Sequence, residues 1–147
     1  MRQTVALLAA LAFSACAGWG GDREVISTPN APAAIGPYSQ GVRVGSTLYL
    51  AGQIALDPST GKLVEGDIEV QTHRVLKNLG AVLKAASFDY SDVVQFQAYL
   101  ADLNDYKAMN AVYATYFSES KPARAVVEAA RIPRDSLVEI MMVAVKS

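Results

Sequence analysis

The chain has 147 residues, 52% of them hydrophobic and 18% charged, a balance that fits one compact domain with a short extension. Thirteen basic against fourteen acidic side chains give a formal charge of −1, so no basic footprint marks the chain for nucleic acid. With a single His and a single Cys, the latter near the N-terminus at Cys16, the body has no His-built metal cluster, no disulfide and no thiol nucleophile.

In chain order, Arg2 provides a positive start and Val5 to Phe13 an apolar run too short to span a bilayer as a stable helix. Phe13-Ser14-Ala15-Cys16 places small residues before a cysteine and is similar to the lipobox of a bacterial lipoprotein signal. Residues 1–15 are therefore expected to be a cleaved signal peptide, with Cys16 lipidated and the protein exported to the periplasm, on the membrane only through that lipid. Cleavage at Ala15 or Ala17 without lipidation is the alternative. Residues 16–24, small and Gly-rich, read as a flexible tether, and residues 25–147 as the domain.

Three prolines between Pro29 and Pro37 make that segment extended and rigid, and Tyr38 follows directly. Tyr38 reads either as half-buried core or as a hydroxyl held in place. Gly41–Val44 and Thr47–Ala51 flank Gly45-Ser46, a two-residue hairpin signal. Gly52 then marks a close approach of backbone to another group, a ligand being one candidate, and Asp57 to Gly61 is a turn. Between Asp67 and Ala86, Ile68, Thr72, Val75, Leu76, Leu79, Val82, Leu83 and Ala86 recur at helical spacing, with His73 off the stripe and facing solvent.

Val93–Leu100 alternates like a strand, with Val94, Phe96, Ala98 and Leu100 on one side. Asp102 is a candidate N-cap for a second helix, Leu103 to Phe117, whose stripe holds Tyr106, Met109, Tyr113, Tyr116 and Phe117. Asn110 falls inside that stripe, as a structural hydrogen-bonding group or as part of a site. From Pro122 to Val145 two β-branched runs flank a turn-prone Arg131–Ser136, which predicts a hairpin. A turn centred near Pro133-Arg134 would set Glu139 opposite Glu128, with Arg124 about 13 Å away along the same face. Glu139 sits among Leu137, Val138, Ile140 and Met141, facing water or serving a site. The run Met141–Val145 is apolar enough for burial on both faces. The sum is an α+β domain, two helices on one face of a mixed sheet.

Three stretches carry a family resemblance from about Val25 to the C-terminus. They are Asn30-Ala31-Pro32-Ala33-Ala34-Ile35-Gly36-Pro37-Tyr38-Ser39-Gln40-Gly41; Asp102-Leu103-Asn104-Asp105-Tyr106 with Asn110 and Tyr113; and Pro122-Ala123-Arg124, Val127-Glu128, Ala130-Arg131-Ile132-Pro133, Asp135 and Glu139-Ile140. Together they resemble the reactive-intermediate deaminase (Rid, formerly YjgF) family. The resemblance implies a chorismate-mutase-like fold, a homotrimer with sites between subunits, no cofactor, and hydrolysis of 2-imino acids to 2-oxo acids and ammonia. It also implies that Arg124 anchors the substrate carboxylate and that Glu139 orients the water. Tyr38, Gly52 and Asn110 match pocket positions. Ala51 stands where many members have Ser, and Val126 where many have Cys, so that Val126 would serve through its carbonyl. The segment from Phe117 to Pro122 is shorter than usual and lacks an aromatic before the Pro-Ala-Arg triplet.

The residues fit that chemistry. A guanidinium grips a carboxylate bidentately, a Glu in an apolar wall can position or deprotonate water, and imine hydrolysis asks for little beyond orientation and one acid/base group. Competing readings are a small-carboxylate-binding module without turnover, an endoribonuclease or translation inhibitor, which the resemblance also allows but the acidic balance disfavours, and, by fold analogy alone, a chorismate mutase.

Overall fold

The computed structural model describes residues 22–146. The expected signal peptide, the lipidation site Cys16 and most of the tether lie outside the described residues. Eight main elements follow: β1 (Arg23–Ile26), β2 (Gly41–Val44), β3 (Thr47–Ile54), α1 (Ile68–Ala85), β4 (Val93–Leu100), α2 (Tyr106–Tyr116), β5 (Ala123–Glu128) and β6 (Val138–Val145). They form one six-stranded sheet in the order β1-β2-β3-β6-β4-β5, mixed because β4 and β5 are parallel.

The local signals explain most of these elements. Asp67 caps α1, its carboxylate accepting from the Val70 N–H at 2.9 Å. Glu69 in the first turn and Lys84 in the last suit the helix dipole. The α1 stripe is buried as its spacing requires, with Val75, Leu76, Leu79, Val82 and Leu83 fully enclosed. They pack on Leu48, Leu50, Phe96, Ile140 and Met142 from one face of the sheet and on Met109 and Tyr113 from α2. Gly45 takes φ 58° at the tip of the β2–β3 hairpin, the left-handed conformation such a turn demands. Asp102 caps a short 3-10 turn at Leu103–Asp105 instead of the helix itself, and α2 begins at Tyr106.

Other expectations need correction. Arg23 and Glu24 are not tether; they pair with Val44 and Arg43 in an edge strand. In β4 it is Val93 that faces the core and Val94 that is exposed, because the pairing with β6 shifts between Val93 and Gln95. Most important, β5 and β6 are not a hairpin. They run antiparallel, but β4 lies between them, parallel to β5 and antiparallel to β6. The connection from Ala129 to Leu137 crosses the end of β4. That end is clamped on both sides: Ala129 N–H donates to the Leu100 carbonyl at 2.8 Å, and Ala101 N–H to the Leu137 carbonyl at 3.0 Å. Glu139 is therefore opposite Tyr99 on β4 and Ile54 on β3, not Glu128.

Both helices pack on one face of the sheet, and among the described residues no helix covers the other. Burial along β6 alternates accordingly: Met142 and Ala144 are buried, Met141 and Val143 are half-buried, and Val145 is exposed. Burial of Met141–Val145 on both faces is thus not reached within one chain. The bare face presents Val44, Tyr49 and Val127, each roughly half exposed.

Candidate functional site

The candidate residues fall into two groups, and alternation in the sheet decides which. Along β5, Arg124 and Val126 point to the helix face; Arg124 is level with Phe96, and Val126 packs against the main core. Along β6, Val138 and Ile140 are buried under the helices, so Glu139 between them points to the bare face. Arg124 and Glu139 are thus on opposite sides of the sheet, two strand spacings or roughly 10 Å apart across it, before any offset along the strands.

The Arg124 group stands on α2. Nη1 of Arg124 donates to Asn110 Oδ1 at 2.7 Å and Nη2 to the Tyr106 hydroxyl at 3.1 Å. The guanidinium carbon lies 4.5 Å from the centre of the Tyr113 ring and 5.9 Å from that of Phe96. Among the described residues no carboxylate pairs with Arg124, so much of its donor fork is uncommitted. Asn110, left open between structure and site, bonds to a side chain and not to backbone.

The Glu139 group surrounds a cavity of about 360 Å³ lined by Pro32, Ile35, Tyr38, Ala51, Gly52 and Glu139, with Pro133 at its edge. Ala51 and Gly52 lie at a break in the β3–β6 pairing between Leu50 and Gln53. That break turns the backbone of β3 toward Glu139, and a side chain at position 52 would collide with the Glu139 carboxylate. The group that approaches Gly52 is the Glu139 side chain. No hydrogen bond from the described residues reaches the Glu139 carboxylate, and burial pushes its pKa above the ordinary glutamate value. Such a group is a stronger base than a solvated carboxylate and has lone pairs available for water. Tyr38 is 47% exposed, its hydroxyl accepting from the Ile35 N–H at 3.4 Å, which makes it a positioned hydroxyl rather than core. His73 is exposed and bonds Tyr116, remote from both groups.

Two features behind the cavity lining have no clear mark in a local sequence pattern. Gln40, only 4% exposed, accepts from the Thr28 N–H at 2.6 Å through Oε1. Its Nε2 donates to the carbonyls of Pro32 (2.7 Å), Thr28 (3.1 Å) and Ala31 (3.2 Å). Its own carbonyl accepts from the Ala51 N–H at 3.0 Å. One residue thereby ties the two together, its side chain holding the Pro-rich strap and its main-chain carbonyl the strand that carries Ala51 and Gly52. The second feature is the loop beside Pro133, where Arg134 and Asp135 both take left-handed φ, 58° and 56°. That conformation is costly for residues with side chains. It is held by Arg134 donating to the Gly61 carbonyl at 3.2 Å and by the Arg131–Asp135 pair at 3.0 Å.

Fold and site define an α+β protein with a cationic fork on one sheet face and a desolvated carboxylate in an apolar pocket on the other. The family model described as Endoribonuclease L-PSP matches residues 28–146, and the chain belongs to this family, also known as Rid or YjgF. It is 53% identical over 124 residues to a RutC family protein of Pyrococcus horikoshii, covering 84% of this chain and 98% of the relative. It is 52% identical over 124 residues to the 2-iminobutanoate/2-iminopropanoate deaminase of Mus musculus, covering 84% of this chain and 92% of that enzyme. Among solved structures, Escherichia coli TdcF with bound serine matches with a TM-score of 0.81 at 38% identity, covering 84% and 99% of the two chains. The YjgF gene product of Escherichia coli matches with a TM-score of 0.80 at 41% identity, over the same shares. The fold is the chorismate-mutase-like one of that family.

The raised pKa of Glu139 makes a prediction with a definite sign. A carboxyl that is harder to ionise when folded than when unfolded favours the native state while protonated, and that advantage is lost as pH rises through its folded pKa. Glu139→Gln should therefore be more stable than the wild type at neutral pH. The difference should vanish on acidification below the ordinary glutamate value of 4.5. Urea unfolding across that pH range measures it; a gap that persists at low pH would contradict the assignment.

Proposed function

We propose that the protein hydrolyses 2-imino acids to 2-oxo acids and ammonia, at a site completed by two copies of the chain in a homotrimer. The observation that carries this reading is the division just described: a guanidinium fork with donors to spare and a carboxylate that no described residue hydrogen-bonds, on opposite faces of one sheet. The relatives named 2-iminobutanoate/2-iminopropanoate deaminase, from mouse and human at 52% and 48% identity, support the reaction type. The apolar bare face, with Tyr49 and Val127 exposed, supports association with further copies.

In this mechanism Arg124 receives the substrate carboxylate through the donors it does not spend on Asn110 and Tyr106. The apolar wall takes the substrate side chain, and Ala51, lacking a hydroxyl, adds to that wall. Tyr38 and the Gly52 backbone bound the pocket from the Glu139 side, and the Val126 carbonyl and Asn110 amide nitrogen from the Arg124 side. Glu139 accepts a proton from water as its oxygen bonds to the imine carbon, and the C=N pair moves to nitrogen. The proton returns to nitrogen. Glu139 then takes the carbinolamine hydroxyl proton and passes it to nitrogen as the oxygen pair forms the C=O group, breaking the C–N bond and releasing ammonia. No cofactor is needed, because water supplies the oxygen and both hydrogens.

Freshly generated 2-iminobutanoate and 2-iminopropanoate test the reading directly: the protein should accelerate release of ammonia and the matching 2-oxo acid. Arg124→Lys should lower kcat/KM by about a hundredfold with the fold intact, since a point charge does not replace the planar fork. Wild-type turnover by Arg124→Ala, or carboxylate binding without ammonia release, would overturn it.

We further propose that the N-terminal segment exports the chain and anchors it to the periplasmic side of a bacterial membrane through Cys16, on the strength of Phe13-Ser14-Ala15-Cys16. Cys16→Ser should move the protein from the membrane to the soluble fraction. A mature N-terminus other than residue 16 would contradict this.

A further inference from the structure

Arg124 is an arginine on an edge strand, yet its guanidinium is held from three sides by a single helix. Tyr106, Asn110 and Tyr113 are spaced i, i+4 and i+7 on α2, so they share one helix face. Asn110 Oδ1 accepts a hydrogen bond from Nη1 at 2.7 Å, the Tyr106 hydroxyl accepts one from Nη2 at 3.1 Å, and the Tyr113 ring lies beneath the guanidinium carbon at 4.5 Å. A ring beneath the plane resists tilting, while one acceptor on each terminal nitrogen resists rotation within the plane. With only one in-plane acceptor the fork could pivot about that bond.

We propose that Tyr106 is a positioning residue for carboxylate recognition: its hydroxyl fixes the rotation of the Arg124 fork before the ligand arrives. This rests on the deaminase reading for the identity of the ligand, but not for the geometry. A free arginine must give up side-chain freedom when it grips a carboxylate bidentately, whereas one already held gives up less. Tyr106 is 44% exposed, so a ligand can reach the fork beside it. Within one chain it is no part of the Glu139 pocket lining, and its hydroxyl should influence binding of the carboxylate and leave the chemical step alone.

Tyr106→Phe keeps the ring, which lies 5.5 Å from the guanidinium carbon, and removes only the in-plane acceptor. Tyr116→Phe is the control: its hydroxyl bonds His73 at 3.1 Å and is no part of the cradle. Two readouts separate positioning from stability, the split between KM and kcat on 2-iminobutanoate and the affinity for unreactive 2-oxobutanoate by titration calorimetry. Tyr106→Phe should raise KM and the Kd of 2-oxobutanoate together by about tenfold, with kcat within about twofold of wild type. Binding of the uncharged 2-oxobutanamide should not change, and Tyr116→Phe should match wild type throughout. An unchanged Kd in Tyr106→Phe, equal weakening of the amide, or a loss confined to kcat would overturn the proposal. Failure of the wild type to bind 2-oxobutanoate would overturn it too. If 2-oxobutanoate binds in a Tyr106-dependent way but no imine is hydrolysed, the role of Tyr106 stands and the deaminase reading falls.

Discussion

The insertion of β4 between β5 and β6 is the constraint on which everything else depends. It makes β6 a central strand paired on both edges, and that pairing fixes which of its side chains meet the helices. Since side chains alternate strictly along a strand, burying Val138 and Ile140 leaves Glu139 no choice but the bare face. The same insertion puts β5 at the sheet edge, where Arg124 reaches over Phe96 to α2. A register slip of one residue in β6 would bury a carboxylate in the helix-side core and expose its neighbours. The position of the reactive groups is therefore secured by the hydrophobic core rather than by contacts between those groups.

The two halves are built by different means. On the Arg124 side, a helix stripe that continues the core ends in polar tips: the Tyr106 hydroxyl and the Asn110 amide follow the same face as the buried Met109 and Tyr113. On the Glu139 side the builders are irregular backbone segments: the break in β3 at Ala51-Gly52, the strap held by Gln40, and the left-handed pair Arg134-Asp135. Irregular backbone needs partners for its N–H and C=O groups. Gln40 supplies several of them at once, which is why an uncharged, fully hydrogen-bonded amide sits behind the strap. Among the described residues no donor reaches the Glu139 carboxylate.

How much of this could be read in the sequence follows from how local each signal is. The α1 stripe was legible because a period of 3.6 repeated over eighteen residues leaves little ambiguity. The hairpin at Gly45-Ser46 was legible because two-residue turns have strict chemistry. The β5–β6 arrangement was not, since turn-prone residues between two β-branched runs fit a hairpin and a crossing over a third strand equally well. The length of the Ala129–Leu137 connection, beyond the roughly two to five residues of a usual hairpin loop, was the available hint. β1 was missed because four mostly exposed residues carry no period. Arg124, Asn110, Tyr38, Gly52 and Glu139 stood out as residues, but their division between two faces depends on strand order, and Gln40 acts through contacts that no local pattern encodes.

The central claim is that one chain holds two halves of a site and that neighbouring copies complete it. Mixing two variants tests it most directly: Arg124→Ala and Glu139→Ala, each inactive alone, unfolded together, refolded in equal amounts and checked for mixed trimers by mass. Random assembly leaves roughly a quarter of the interfaces with an intact Arg124 from one copy and an intact Glu139 from the next. Deaminase activity should return to about that fraction of wild type. Mixed trimers that remain inactive, or a monomer that turns over imines at the full rate, would contradict the account.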